Sequence, residues 1–125
     1  MTAATVLVVE DNEAVRETAV EMLTRAGYAS LEASEALQAM TILEQNPEVA
    51  LMFTDVVMPG MNGFILADVA KRRWPHLRVV YTTGFADMRD TSAHHGILHG
   101  RILNKPYNTE QLVTLITQAL NTGVV

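Results

Sequence analysis

Hydrophobic and polar positions follow two regimes that alternate along this chain. Short β-rich apolar runs, too brief for helical periodicity, are each followed by a longer stretch whose apolar residues recur every three or four positions. The strand–helix pattern repeats five times. Residues 5–9, Thr-Val-Leu-Val-Val, predict a strand buried on both faces and hence central and parallel. Asn12 then caps a helix with apolar Val15, Ala19, Met22, Leu23 and Ala26, and Gly27 supplies its left-handed stop. A weaker strand is predicted over residues 29–33. Ser34 is read as the cap of a second helix facing inward through Leu37, Met40 and Leu43, which ends at Asn46-Pro47 because the residue before proline resists the α conformation. Residues 49–54 predict the third strand, and Asn62 opens a helix that runs through Arg73 and stops before Trp74-Pro75. Residues 78–82 form the fourth strand, 87–95 a short fourth helix and 101–103 a brief fifth strand. Asn108 and Gln111 fit a capping box for a last helix with the stripe Leu112, Leu115, Ile116, Ala119 and Leu120.

Length and composition narrow the class. Residues 1–125 make one domain, able to bury roughly two-thirds of its unfolded surface. Zero cysteines exclude disulfides and thiolate metal sites. The longest apolar run, residues 49–53, falls far short of the roughly 20 residues of a membrane span, and no signal peptide is visible, so a soluble cytoplasmic protein with no membrane partner is expected. A net charge of −5, with Lys71-Arg72-Arg73 the sole basic cluster, argues against direct nucleic-acid binding. That cluster reads as a solvated helix end. His94, His95 and His99 lack the spacing of a metal site, since Gly96 and Gly100 break the helix they would need, and they read as exposed loop histidines.

The chemistry is sought just after each strand, because ligands of a parallel α/β sheet bind outside the strands' carboxyl ends. Those positions hold Glu10, Asp11, Asp55, Thr83 and Lys105. Three carboxylates at one edge repel by several kcal/mol per close pair at an effective dielectric near about 20, so something cationic must sit among them. A hard divalent cation such as Mg²⁺ suits oxygen ligands, and Lys105 adds a second positive charge. Acid cluster, metal, lysine and hydroxyl together describe phosphoryl transfer.

Four segments in order, Val8-Val9-Glu10-Asp11-Asn12, residues 54–63 (Thr-Asp-Val-Val-Met-Pro-Gly-Met-Asn-Gly), Thr82-Thr83-Gly84-Phe85 and Lys105-Pro106-Tyr107, resemble a bacterial two-component response-regulator receiver domain over essentially the whole chain. The resemblance implies an α/β, doubly wound (βα)5 fold with a five-stranded parallel sheet in the flavodoxin-like order 2-1-3-4-5. It implies that Asp55 is the phosphoacceptor, taking a phosphoryl group from a phosphohistidine. Glu10, Asp11, Asp55 and the backbone carbonyl of Val57 would hold Mg²⁺, with Mn²⁺ as an alternative, and Lys105 would pair with the phosphoryl group. The family spaces its switch hydroxyl 22 positions before the lysine, which selects Thr83 rather than Thr82. Lys105-Pro106 resembles the family's cis peptide. Val57 and Phe85 would flank the path of hydrolytic water, and as apolar residues they imply slow dephosphorylation. Partners would be a histidine kinase or histidine phosphotransfer protein and a downstream effector protein, with homodimerisation through the face of the fourth helix, fifth strand and fifth helix as a further option.

Two departures stand out. The family usually carries Tyr or Phe three residues before the lysine, and here that position is Ile102, so readout through the fifth strand is expected to be altered. The chain reads as lacking an output domain, which leaves a stand-alone regulator, a relay intermediate or a receiver excised from a hybrid histidine kinase; the Thr-Gly-Phe turn resembles the hybrid type most. Other classes fit less well. A dehalogenase-like phosphohydrolase needs an Asp-x-Asp pair, and a flavin- or nucleotide-binding doubly wound domain would bring glycine-rich phosphate motifs; neither feature is present.

Overall fold

Strand β1 (Thr5–Val9) alternates its side chains between two apolar layers, and the rest of the sheet is built to match. The computed structural model of the protein describes residues 4–84 and 98–121. β1 pairs in parallel with β2 (Ala29–Ala33) on one side and β3 (Leu51–Asp55) on the other, followed outward by β4 (Arg78–Thr83) and β5 (Ile102–Asn104). The order is β2-β1-β3-β4-β5, as expected from the resemblance. Leu7, Val9, Met52 and Tyr81 face one side, where α2 (Ala36–Gln45) and α3 (Gly63–Arg73) pack through Ala36, Ala39, Leu43, Phe64, Ala67 and Ala70. Val6, Val8, Leu51, Phe53 and Val80 face the other, against Ala19 and Leu23 of α1 (Glu13–Arg25) and Leu112 and Ile116 of the C-terminal helix (Thr109–Asn121). Burial on both faces is why the central strands read as unbroken apolar runs.

The predicted caps hold at three of four helices. Asn12 Oδ1 accepts from Val15 N–H at 3.0 Å, Asn62 Oδ1 from Ile65 N–H at 2.9 Å, and Asn108 and Gln111 bond reciprocally at 2.9 and 2.8 Å. Gly27 takes φ 95° after α1. Ser34 does not cap α2. Its N–H and hydroxyl both donate to Gln38 Oε1, at 2.7 and 3.0 Å, and Glu35 stands at the cap without a side-chain bond. The inward stripe of α2 is also rotated from the expected one: Leu37 is 71% exposed, while Ala36 and Ala39 face in, small enough to bring the helix close to the sheet. Ala26 likewise ends exposed, as the C-cap of α1.

Strand bounds shift by a residue or two. The third strand starts at Leu51 rather than residue 49, because Val49 N–H is spent on the Asn46 carbonyl in the turn after α2. It includes Asp55, and β4 extends to Thr83, whose carbonyl accepts from Lys105 N–H. β5 starts and ends one residue later than expected. The expected fourth helix, residues 87–95, lies outside the described residues, as do Phe85, His94 and His95. Lys71 is not a freely solvated helix end: its ammonium donates to the carbonyls of Pro75 and Leu77 at 2.8 Å each and closes the turn after α3. Burial, and then the charge of Arg78, lower its pKa. Arg73 lies 4.6 Å from the Trp74 ring centroid.

Candidate functional site

The order of the strands places a topological reversal between β1 and β3, and the loops leaving their carboxyl ends open a crevice there. Glu10 and Asp11 follow β1, and Asp55 is the last residue of β3. A carboxylate oxygen from each of the three lies within 4.8 Å of the others. Glu10 and Asp55 are buried, 3% and 4% exposed, while Asp11 faces solvent. Like charges at that separation repel by about 3–4 kcal/mol per pair at an effective dielectric of about 20.

The cation that offsets them is Lys105. Its Nζ stands 2.8 Å from Glu10 Oε1 and 3.1 Å from Asp55 Oδ2. Burial works against its charge, but the hydrogen bonds and charges of Glu10 and Asp55 outweigh it and hold the ammonium above the ordinary lysine pKa. Asp11 is raised above the ordinary aspartate value, by burial first and then by the hydrogen bond and negative charge of Glu10. Three carboxylates against one ammonium leave a local charge near −2 when all are ionised. A hard divalent cation matches that deficit in charge and in ligand type, so the donor set fits Mg²⁺.

Backbone groups fix this cluster. Glu10 Oε2 accepts from Asn12 N–H at 3.1 Å, and Asp55 Oδ1 accepts from Val57 N–H at 3.3 Å. Gly63 opens α3 pressed against the Asp55 carbonyl, where a Cβ would collide with backbone. The Lys105-Pro106 peptide is cis. At the end of β4, Thr82 and Thr83 are buried, and neither hydroxyl has a hydrogen-bond partner among the described residues. Thr83 lies on the Tyr81 face of β4, and Thr82 lies level with Asp55.

Thus Glu10, Asp11, Asp55 and Lys105 come together, and Val57 reaches Asp55 through its N–H. Sequence reasoning missed Arg16. Its Nη1 donates to the Glu10 carbonyl at 2.8 Å and its Nε to Glu32 Oε1 at 3.2 Å, tying the acidic loop to α1 and β2. One turn of helix separates it from Asn12, which was the available cue. It also misread His99. Far from an exposed loop residue, its Nε2 lies 2.6 Å from Asp68 Oδ1 on α3. Tyr107, edge-on to Phe53, has its hydroxyl pKa pushed up to about 12 by burial, with Lys105 opposing and Glu10 and Asp55 reinforcing the rise.

Comparison with known proteins bears on the family and the fold. A family model described as the response regulator receiver domain matches residues 6–117. The sensor kinase CckA of Brucella abortus (strain 2308) is 34% identical over 121 residues, covering 94% of this chain but 13% of CckA. The response regulator receiver protein CpdR of the same organism is 31% identical, covering 92% of this chain and 95% of CpdR. The crystal structure of a response regulator receiver protein from Sinorhizobium medicae WSM419 superposes with a TM-score of 0.84 at 28% identity, covering 96% of each chain. The chain therefore spans a small part of CckA and nearly all of CpdR. Family match, relatives and shared fold together make this chain a member of the response regulator receiver domain family of two-component signalling.

Proposed function

We propose that the protein accepts a phosphoryl group on Asp55 from a phosphohistidine of a histidine kinase or histidine phosphotransfer protein, and thereby switches its binding to a downstream effector. The observation that carries this reading is the Lys105 ammonium, shared between Glu10 and Asp55 at 2.8 and 3.1 Å beside the Asp11 carboxylate. An Asp55 carboxylate oxygen attacks phosphorus in line, the new P–O bond forms as the P–N bond breaks, and the imidazole leaves with the electron pair. Lys105 meets the charge of the incoming phosphoryl oxygens, and the Thr83 hydroxyl, without a partner among the described residues, is a donor waiting for one of them. Glu10, Asp11, Asp55 and the Val57 carbonyl would hold Mg²⁺, or Mn²⁺ in its place, which neutralises phosphoryl charge when bound.

The chain acts as a signalling receiver that promotes its own phosphorylation and dephosphorylation, working in the cytoplasm. No helix among the described residues is long and apolar enough to cross a membrane. A groove of about 310 Å³ lined by Val15, Met22, Lys105, Pro106 and Tyr107 adjoins the site and suits the donor protein. Incubation with a small phosphodonor and Mg²⁺, followed by intact mass, tests the reading. One base-labile phosphate adduct is expected, absent in Asp55→Asn and in excess chelator. An adduct that persists in Asp55→Asn would overturn the assignment.

A further inference from the structure

Ile102 leaves the edge strand without the aromatic ring that its position usually carries in this family, yet a ring stands directly beside it. Ile102 and Tyr81 are Cα partners across β5 and β4. Tyr81 lies two residues before Thr83, so both point to the same face of the sheet. Its side chain is fully buried, and its ring centroid is 5.0 Å from that of Phe64 in the first turn of α3. The hydroxyl reaches past the core to accept the His99 backbone N–H at 3.2 Å. His99 in turn holds Asp68 on α3 through the 2.6 Å contact of its ring. Tyr81 N–H also donates to the Arg101 carbonyl at 2.9 Å. Gly100, between them, presses on the Val79 carbonyl so closely that no Cβ fits. The segment leading into β5 is thus fastened to β4 by backbone, to Tyr81 by its hydroxyl and to α3 by His99.

We propose that Tyr81 is the positioning residue that conveys a change at Thr83 to residues 98–101 and to α3, in the part left empty by Ile102. The inference rests on the phosphoacceptor reading above, because Thr83 changes only if a phosphoryl group reaches the site. The physical reason is the rigidity of the connection. Thr83 and Tyr81 share one short strand face, the Tyr81 ring is fully buried against Phe64, and its hydroxyl ends on the backbone of His99. A ring that swings is not needed when the ring is already wedged between the strand and the segment it moves.

The test is amide chemical-shift mapping of the full chain with Mg²⁺, with and without beryllofluoride as the phosphoryl mimic, in wild type, Tyr81→Phe and Asp68→Asn. Tyr81→Phe keeps the ring and removes only the hydroxyl. In wild type, mimic-induced shifts are expected at residues 55–58, at Thr83, at 98–101 and in α3 around Asp68. In Tyr81→Phe the shifts at 55–58 should persist while those at 98–101 and around residue 68 are lost; in Asp68→Asn only the α3 shifts should be lost. A merely structural role would alter the resting spectrum of Tyr81→Phe and leave its mimic-induced shifts at 98–101 in place, which overturns the inference. Wild-type shifts confined to the site overturn it alone, and no shifts at the site overturn both it and the phosphoacceptor reading.

Discussion

At the ends of β1 and β3 each buried carboxylate has a hydrogen-bond partner, whereas at the end of β4 two buried hydroxyls have none among the described residues. Glu10 and Asp55 share Lys105 and each accepts a backbone N–H. Thr82 and Thr83 are as deeply buried and have no hydrogen-bond partner among the described residues. The first region is crowded with charge but saturated with partners, so its groups are held in place before any reaction starts. The second is neutral and well packed but unsatisfied, and an unmade buried hydrogen bond costs about 1–3 kcal/mol. Carrying a two-state population from 1:99 to 99:1 takes about 5.5 kcal/mol. A buried donor that gains its acceptor only on phosphorylation is a direct source for part of that amount. On the proposed phosphoacceptor reading, the division of labour is chemistry among Glu10, Asp55 and Lys105, and response through Thr83 and the strand that carries it.

The largest effect that separates the regions is expected from Lys105→Ala. Removing the ammonium that bonds both Glu10 and Asp55 should slow adduct formation by about 10²–10³-fold, the usual cost of losing a preorganised electrostatic partner. Thr83→Ala should leave the rate of adduct formation much closer to wild type while abolishing the shifts that follow it. Time courses of intact mass at saturating Mg²⁺ measure both rates. Equal losses in the two variants would show that Thr83 belongs to the chemistry and that the division is wrong.

The two regions also differ in how legible they were. β1 could be read to the residue because both its faces are buried and its apolar run has no polar interruption. The acidic cluster followed from where those strands end. The edge was harder. β5 is three residues long and half-buried, so its pattern carries little periodicity and its bounds slipped by one. Leu37 was placed inward because spacing finds a stripe but not which of two adjacent stripes packs, and the alanines that let α2 approach carry a weak hydrophobic signal. Arg16, Tyr81 and His99 were missed as a class. Arg16 works through the Glu10 carbonyl and Tyr81 through the His99 N–H, backbone contacts that no side-chain motif marks, while His99 pairs with Asp68 on a distant helix.

A smaller effect tests the unsatisfied hydroxyl itself. Thr83→Val keeps the shape of the side chain and its preference for strand while deleting the donor, so the resting protein should become more stable by about 1 kcal/mol. Urea unfolding in the absence of phosphodonor measures it, as a higher midpoint at unchanged slope. A lower midpoint would mean that the Thr83 hydroxyl is already satisfied at rest, and the contrast between the two regions would lose its energetic basis.

A last effect is confined to high pH and sharpens the description of the partnered region. Lys105 and Tyr107 both have pKa values raised above those of the unfolded chain, Tyr107 to about 12. A group with a raised folded pKa binds its proton more tightly when folded, so its contribution is fully present below the unfolded value and is lost as pH rises through the folded one. For Tyr107 that window runs from about 10 to about 12. For Lys105 it begins near the ordinary lysine value and extends above it, with the same sign. Wild type should therefore lose stability progressively above about pH 10. Tyr107→Phe keeps the edge-on contact with Phe53 and removes the ionisable hydroxyl, so its urea midpoint should fall less steeply over the same range. The Lys105 part of the decline should remain in that variant, because the ammonium still loses its proton between Glu10 and Asp55. Identical pH profiles for the two proteins would show that the Tyr107 hydroxyl reaches water, and that the partnered region is more open than its carboxylates suggest.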